Sequence, residues 1–410
     1  MSADYPFPLA PRMGALSPSP FHILQQAAKE SENRGRKLLY LSVGEPGFHT
    51  PENVKEAAIR AIRNNQTRYT AADGTPELKA AICAKLLRQN NLIYAPDQVI
   101  VTMGGVQAIF NLLLATVGHG DEVLLPAPFF SPYLSSIQLT GAKPVLLPTR
   151  ESEGFVPQAR DVATALTNRS RWLVLNSPSN PAGAIIDRDQ LHEIADVVRK
   201  HPGLMVLSDD MYEAIRFEGG DFLNIVNVAP DLAERTVVLN GVSKTYAMTG
   251  WRMAYLAGPK RLIAAVTQVS LSSAFSPNSI SQAAAVEALE GPQTAIEVQL
   301  SEYRARRDTV IAALKEIPGL SFVPPRGAYF LFVNCKSYLG MRNAEGEFIR
   351  DDLDFVLYVL RKTDVALMPG SGFGMPGYLR ISFATSDEVL RIATRRLSDV
   401  CNELRLAAAP

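Results

Sequence analysis

Val237-Val238-Leu239-Asn240-Gly241-Val242-Ser243-Lys244-Thr245-Tyr246-Ala247-Met248-Thr249-Gly250-Trp251-Arg252-Met253-Ala254-Tyr255-Leu256-Ala257 decides how this chain folds. Its ends, Val237–Asn240 and Ala254–Ala257, are short apolar runs suited to buried strands. Between them stand small and polar residues, one lysine, and an arginine expected two helical turns beyond it. The same rhythm recurs upstream, in Val99–Thr102, Glu122–Leu125, Pro144–Leu147, Trp172–Asn176 and Leu204–Ser208. Helical stretches separate several of these runs. In Gln190–Lys200, for example, Leu191, Ile194, Ala195 and Val198 share one face. This alternation predicts an α/β fold with a mostly parallel sheet covered on both faces.

The texture changes near residue 295. A long charged helix (Ala295 to about Ile317) precedes an apolar stretch, Phe322–Phe332, and helices near 351–362 and 386–404. That pattern predicts a smaller α+β domain. The expected division is an extended, proline-rich arm (1–20), an N-terminal part of the small domain (21–48), a large domain (49–294) and the small C-terminal domain (295–410). A helix is expected over Phe21–Arg34 and a strand over Leu38–Val43. Thr50-Pro51-Glu52 and Thr75-Pro76-Glu77 each read as a helix start, with threonine as cap and proline in the first helical position. After the second, Leu78, Ile82 and Leu86 form a buried stripe.

The chain has 410 residues, 47% hydrophobic and 20% charged, the profile of a soluble globular enzyme with two domains. Lys+Arg and Asp+Glu are equal at 41 each, so no broad positive field favours nucleic acid. Cys83, Cys335 and Cys401 are far apart and form neither a metal-ligand pair nor a disulfide framework. Reduced thiols in the cytoplasm are the simplest expectation. No metal is assigned. No leader peptide is expected, and the uncharged stretch from Gln98 to Gly120 reads as strand, glycine turn and buried helix rather than a membrane span.

In an open parallel sheet, ligands sit beyond the carboxyl ends of the strands. The unusual polar residues of this chain lie just there. Asn180 follows Trp172–Asn176, Asp209 and Tyr212 follow Leu204–Ser208, and Lys244 follows Val237–Asn240. Gly104-Gly105 follows Val99–Thr102 and opens a helix. A lysine among small residues can form an imine with an aldehyde, and an arginine nearby can hold a phosphate. Pyridoxal 5′-phosphate (PLP) carries both groups. A carboxylate such as Asp209 suits its pyridine nitrogen. The hydroxyl of Tyr212 and the amide of Asn180 suit the ring oxygen. Arg252 and the helix start at Gly105-Val106 suit the phosphate. Taken singly, Ser208-Asp209-Asp210 reads as a strand-end turn and Asn180-Pro181 as a plain turn. In this order and spacing they point to one cleft.

The chain resembles class I, fold-type-I PLP-dependent aminotransferases of the aspartate/aromatic/alanine kind over nearly its whole length. The matching stretches are Gly44-Glu45-Pro46, Tyr69 to Leu78, Asn176 to Gly183, Ser208 to Glu213, the Lys244 segment and Leu379 to Ala384. The resemblance implies transfer of an amino group between an L-amino acid and a 2-oxo acid by a ping-pong, Schiff-base route, with Lys244, Asp209 and Tyr212 catalytic. The same fold also serves a carbon–sulfur β-lyase or an aminocyclopropane-carboxylate-synthase-like enzyme. It further implies that Arg380 clamps the substrate α-carboxylate, with Gly44 presenting its amide and Asn180 close by. Phe130 would stack on the cofactor ring. Tyr69 would reach the phosphate of a second subunit, which implies a homodimer with shared active sites. Four positions depart from the common pattern. Gly241 and Val106 stand where phosphate-side polar groups are frequent, Phe130 where tryptophan or tyrosine is, and Gly47 where aspartate is. They thin the phosphate cup, to which Ser243 is assigned. Phe21, Ile23, Phe48, Tyr133, Phe275 and Tyr329 are candidates to line the side-chain pocket.

Overall fold

The computed structural model describes residues 8–16, 19–343 and 345–407. Among these described residues, thirteen strands form three sheets. Leu39–Tyr40 (β1) pairs in parallel with Val365–Ala366 (β11). The large sheet contains Val99–Thr102 (β2), Glu122–Ala127 (β3), Lys143–Pro148 (β4), Ser170–Asn176 (β5), Met205–Asp209 (β6), Thr236–Gly241 (β7) and Ala254–Ala257 (β8). Its order is β2-β8-β7-β6-β5-β3-β4. β8 runs antiparallel to both neighbours, and all the other pairings are parallel. The third sheet holds Ser321–Phe322 (β9), Phe330–Asn334 (β10), Met368–Pro369 (β12) and Tyr378–Ser382 (β13), in the order β12-β13-β10-β9.

Apart from the edge strand β4, which is mostly exposed or half-buried, the strands of the large sheet are buried on both faces, which is why they read as unbroken apolar runs rather than alternations. β2 and β8 match the sequence expectation residue for residue. β3 runs two residues further than expected, through Pro126. β5 pairs with β3 only as far as Leu124, so the missing N–H of Pro126 costs no bond on that side.

Several local expectations are corrected. The described part of the arm is not extended throughout, because Pro11–Ala15 closes a 3-10 turn; residues 1–7 and 17–18 lie outside the described residues. Phe322–Phe332 is not one element but β9, a loop and β10. β1 is far shorter than Leu38–Val43, since β11 offers only two residues to pair with. Thr75 does cap Pro76–Asn90, its hydroxyl accepting the Leu78 N–H at 3.3 Å, and Leu78, Ile82 and Leu86 are buried. Thr50 caps nothing. Its hydroxyl donates to the Ala247 carbonyl at 2.7 Å and accepts the Trp251 indole N–H at 3.0 Å. The turn beyond β7 is thereby fastened to the start of the helix Glu52–Arg63.

The N-terminal helix Pro20–Asn33 packs on Asp352–Thr363, so the two ends of the chain meet around the smaller sheet. Among the described residues no helix is long and apolar enough to cross a membrane.

Candidate active site

A cavity of about 930 Å³ opens where the carboxyl ends of β5, β6 and β7 face the smaller sheet. Its wall includes Lys244, Asp209, Tyr212, Asn180, Arg252, Arg380, Gly44, Gly105, Val106, Phe130 and Ser243. Gly104 lies just behind the wall. It adopts φ +91°, and a Cβ there would run into the Arg252 guanidinium, so only glycine lets that arginine lie across the helix start. Gly105 then begins the helix Gly105–Thr116, whose first-turn N–H groups face the same side.

The segment between Lys244 and Arg252 is not the pair of helical turns expected from its spacing. It is a run of turns ending in a short 3-10 helix, with Ala247 at φ +50° and Arg252 at φ +55°. Arg252 donates to the Thr249 carbonyl at 2.8 Å and keeps its exposed end on the cavity.

Lys244 Nζ donates to the Gly44 carbonyl at 2.7 Å, and the Tyr329 hydroxyl donates to the same oxygen at 3.0 Å. It is thus the carbonyl of Gly44, not its amide, that carries a visible bond here. The Tyr212 ring lies 6.0 Å from the lysine nitrogen. Burial, with Arg380 and Arg252 adding to it, lowers the Lys244 pKa to about 8, while Glu45 and Asp209 oppose the shift.

Asp209 ends β6 and is buried. Its carboxylate accepts bonds from the Tyr133 hydroxyl and from the Met211 N–H at 3.1 Å. Burial raises its pKa to about 6, with both bonds and the Lys244 charge pulling the other way. Burial also pushes the Tyr212 phenol up. Arg380, on β13, is fully buried. Its Nη1 donates to Asn180 Oδ1 at 2.9 Å, its Nη2 to the Ser42 carbonyl, and its buried Nε has no partner among the described residues. The Phe330 ring lies 4.3 Å from the guanidinium carbon. A buried guanidinium on the wall of a cavity is a seat for an anion.

Some residues fall elsewhere. Of the six side-chain candidates only Phe21 lines the cavity; it packs 4.9 Å from Phe373. Phe48 packs on Tyr303, and Ile23 is exposed on the outer face of its helix. Tyr329 is buried behind Gly44, and Tyr133 behind Asp209. Tyr69 is 85% exposed and stacks edge-on with Phe275, 51% exposed, outside the cavity. One contributor, Asn176, was given no role from the sequence, and another, Tyr133, was expected in the side-chain pocket instead of on Asp209. Asn176 lines the cavity, accepting the Asn180 N–H at 2.8 Å and donating to the Asp209 carbonyl at 3.0 Å. Tyr133 stands in the first turn of its helix, and nothing local marks which carboxylate it meets. Asp210, beside Asp209, is occupied with Ser208 and Asn224 and faces away from the cavity.

Residues 36–397 match the family described as aminotransferase class I and II. The chain belongs to this family. It is 41% identical to an aspartate aminotransferase of Rhizobium meliloti over 97% of each chain. It is likewise 41% identical to an aspartate/prephenate aminotransferase of Nitrosomonas europaea, over 96% of this chain and 99% of that one. The crystal structure of the Rhizobium meliloti aspartate aminotransferase superposes with a TM-score of 0.94, at 41% identity, over 97% of this chain and all of that one. A Thermus thermophilus aspartate aminotransferase solved with maleate gives 0.89 at 36% identity, over 96% and 100%. This aminotransferase therefore has the fold-type-I architecture and moves an amino group between an L-amino acid and a 2-oxo acid. The relatives support amino transfer rather than the carbon–sulfur lyase reaction. Family membership implies dependence on PLP. The donors in the cavity fit that group: a desolvated lysine, a buried carboxylate, and an arginine beside a helix N-terminus.

Proposed function

We propose that this aminotransferase holds PLP with Lys244 at the aldehyde and Asp209 at the pyridine nitrogen. Arg252, Ser243 and the amides of Gly105 and Val106 would take the phosphate. Tyr212 and Asn180 serve the ring oxygen, and Phe130 the ring face. When bound, PLP supplies an aldehyde carbon for a C=N link and an electron-withdrawing ring. The protein's part is to keep Lys244 partly neutral, by burial and by Arg380, so that its amine can attack and later carry a proton from the substrate Cα. Asp209 supplies a fixed negative charge. Arg380 and Asn180 receive the substrate α-carboxylate, with Gly44 beside them. What carries this reading is the Lys244 amine in one buried cavity with the Arg380 guanidinium and the Asp209 carboxylate.

The names of the relatives make aspartate and prephenate the first compounds to test, with glutamate and 2-oxoglutarate as the shared pair. The cavity wall carries the apolar Phe21 and Phe373 together with the charged Lys29 and Glu32. The working unit we infer is a homodimer, in which Tyr69 completes the partner's phosphate site. The thiols are free, which suits a reducing cytoplasm. The large domain would span residues 49–294, with 21–48 and 295–410 forming the small one. The test is a panel of amino acids against 2-oxoglutarate, pyruvate and oxaloacetate. Wild type should form the paired products without free ammonia, and Lys244→Ala should not turn over. Normal activity in that variant would end the proposal.

A further inference from the structure

Three chain segments that each carry a site residue meet at Arg326. Residues 183–187 follow Asn180, residues 215–218 follow Tyr212, and residues 325–330 lead into β10, whose Phe330 underlies Arg380. The backbones join closely. The N–H groups of Arg326 and Gly327 both donate to the Gly183 carbonyl, at 2.9 and 3.0 Å. Phe217 N–H donates to the Arg326 carbonyl and Ala328 N–H to the Ile215 carbonyl, each at 2.9 Å. Gly183, at φ +64°, would with a Cβ come within 2.5 Å of Pro325. A Cβ on Gly327 would come within 2.7 Å of the Ile215 carbonyl and of Pro178. The three segments fit in one register only.

One side chain spans all three. Arg326 donates to Glu218 from Nε at 2.8 and 2.9 Å and from Nη2 at 2.7 Å. It donates to Asp187 from Nη1 at 3.0 Å and from Nη2 at 2.9 Å. We propose that Arg326 is a positioning residue for the substrate α-carboxylate, stapling the Asn180 loop to the segment under Arg380. The inference rests on the assignment of Asn180 and Arg380 to that carboxylate. Arg326 is 35% exposed and its two carboxylate partners about half exposed, so the ion pairs themselves add little to stability. Their planar, two-pronged geometry is what they contribute, because it fixes relative position. A small drift of Asn180 would leave Arg380 Nη1 unpaired and misplace the substrate. Lysine keeps the charge but loses the fork.

The test is steady-state kinetics and thermal melting of the PLP-loaded enzyme with Arg326→Gln, Arg326→Lys and the double variant Asp187→Asn/Glu218→Gln. KM for the amino donor should rise about 10-fold in all three, with kcat, bound PLP and melting temperature near wild type. Wild-type KM should also rise more steeply between about 0.05 and about 0.5 M salt than that of Arg326→Gln, which keeps only the screening of the Arg380 contact. An unchanged KM in Arg326→Gln, full rescue by lysine, or a joint fall of kcat and melting temperature would overturn the staple. Arg380→Lys, assayed in parallel, separates the two levels. If it leaves KM unchanged, the carboxylate assignment fails. If it raises KM while the Arg326 variants do not, only the staple fails.

Discussion

Burial and the Arg380 guanidinium both work against a charge on Lys244, while Glu45 and Asp209 favour it; the result is a pKa of about 8. The neutral amine is the nucleophile, and it dominates only above that value. Capture of PLP by cofactor-free protein should therefore quicken about tenfold per pH unit up to about 8 and then level off. Arg380→Leu removes a depressing charge and should move the midpoint upward. A wild-type midpoint near the ordinary lysine value of about 10.4 would contradict this electrostatic account. Tyr133 makes a second case. Its hydroxyl bond favours the ionised form of Asp209, which burial opposes. Tyr133→Phe should raise the Asp209 pKa further and weaken PLP binding about 10- to 100-fold, more so at acid pH. Equilibrium quenching of tryptophan fluorescence would measure it; an affinity equal to wild type would rule it out. Lys244, Asp209 and Asn180 were legible because each stands just past a readable strand. Tyr133 was picked out for the side-chain pocket, but its bond to Asp209 was not legible, since that partner is far away in sequence and its own helix gives no sign of it. Arg326 was equally silent, being one more charged residue in a loop.

The two Thr-Pro-Glu motifs look alike in sequence and behave differently as elements. Thr75 caps its helix and Thr50 does not, because the 247–251 turn offers Thr50 a carbonyl and an indole N–H instead. Thr75→Ala should thus lose about 1 kcal/mol of stability in a urea titration. Thr50→Val should instead loosen the turn that carries Arg252 and release PLP faster. If Thr75→Ala leaves the urea midpoint unchanged, the capping assignment fails. Strand positions were readable because buried parallel strands leave continuous apolar runs. The turn between Lys244 and Arg252 was misread as helical, since its shape depends on Ala247 and Arg252 adopting left-handed backbone conformations. Neither residue type announces that.

Across the whole molecule, the cavity draws on both ends of the chain, from Phe21 to Arg380. The change of texture near residue 295 was visible in the sequence. The return of the N-terminal helix to the C-terminal sheet is a long-range contact that periodicity does not encode. Tyr69 and Phe275 form an exposed aromatic pair away from their own cavity. If Tyr69 serves the partner's site, mixing Lys244→Ala chains with Tyr69→Ala chains should rebuild one intact site per mixed dimer and restore tight PLP binding there. No gain on mixing would show that Tyr69 acts within its own subunit or not at all. The most direct measurement for the account as a whole is borohydride reduction of the PLP-loaded protein followed by peptide mapping. The pyridoxyl group should be found on Lys244 and on no other lysine. A label elsewhere, or none, would contradict it.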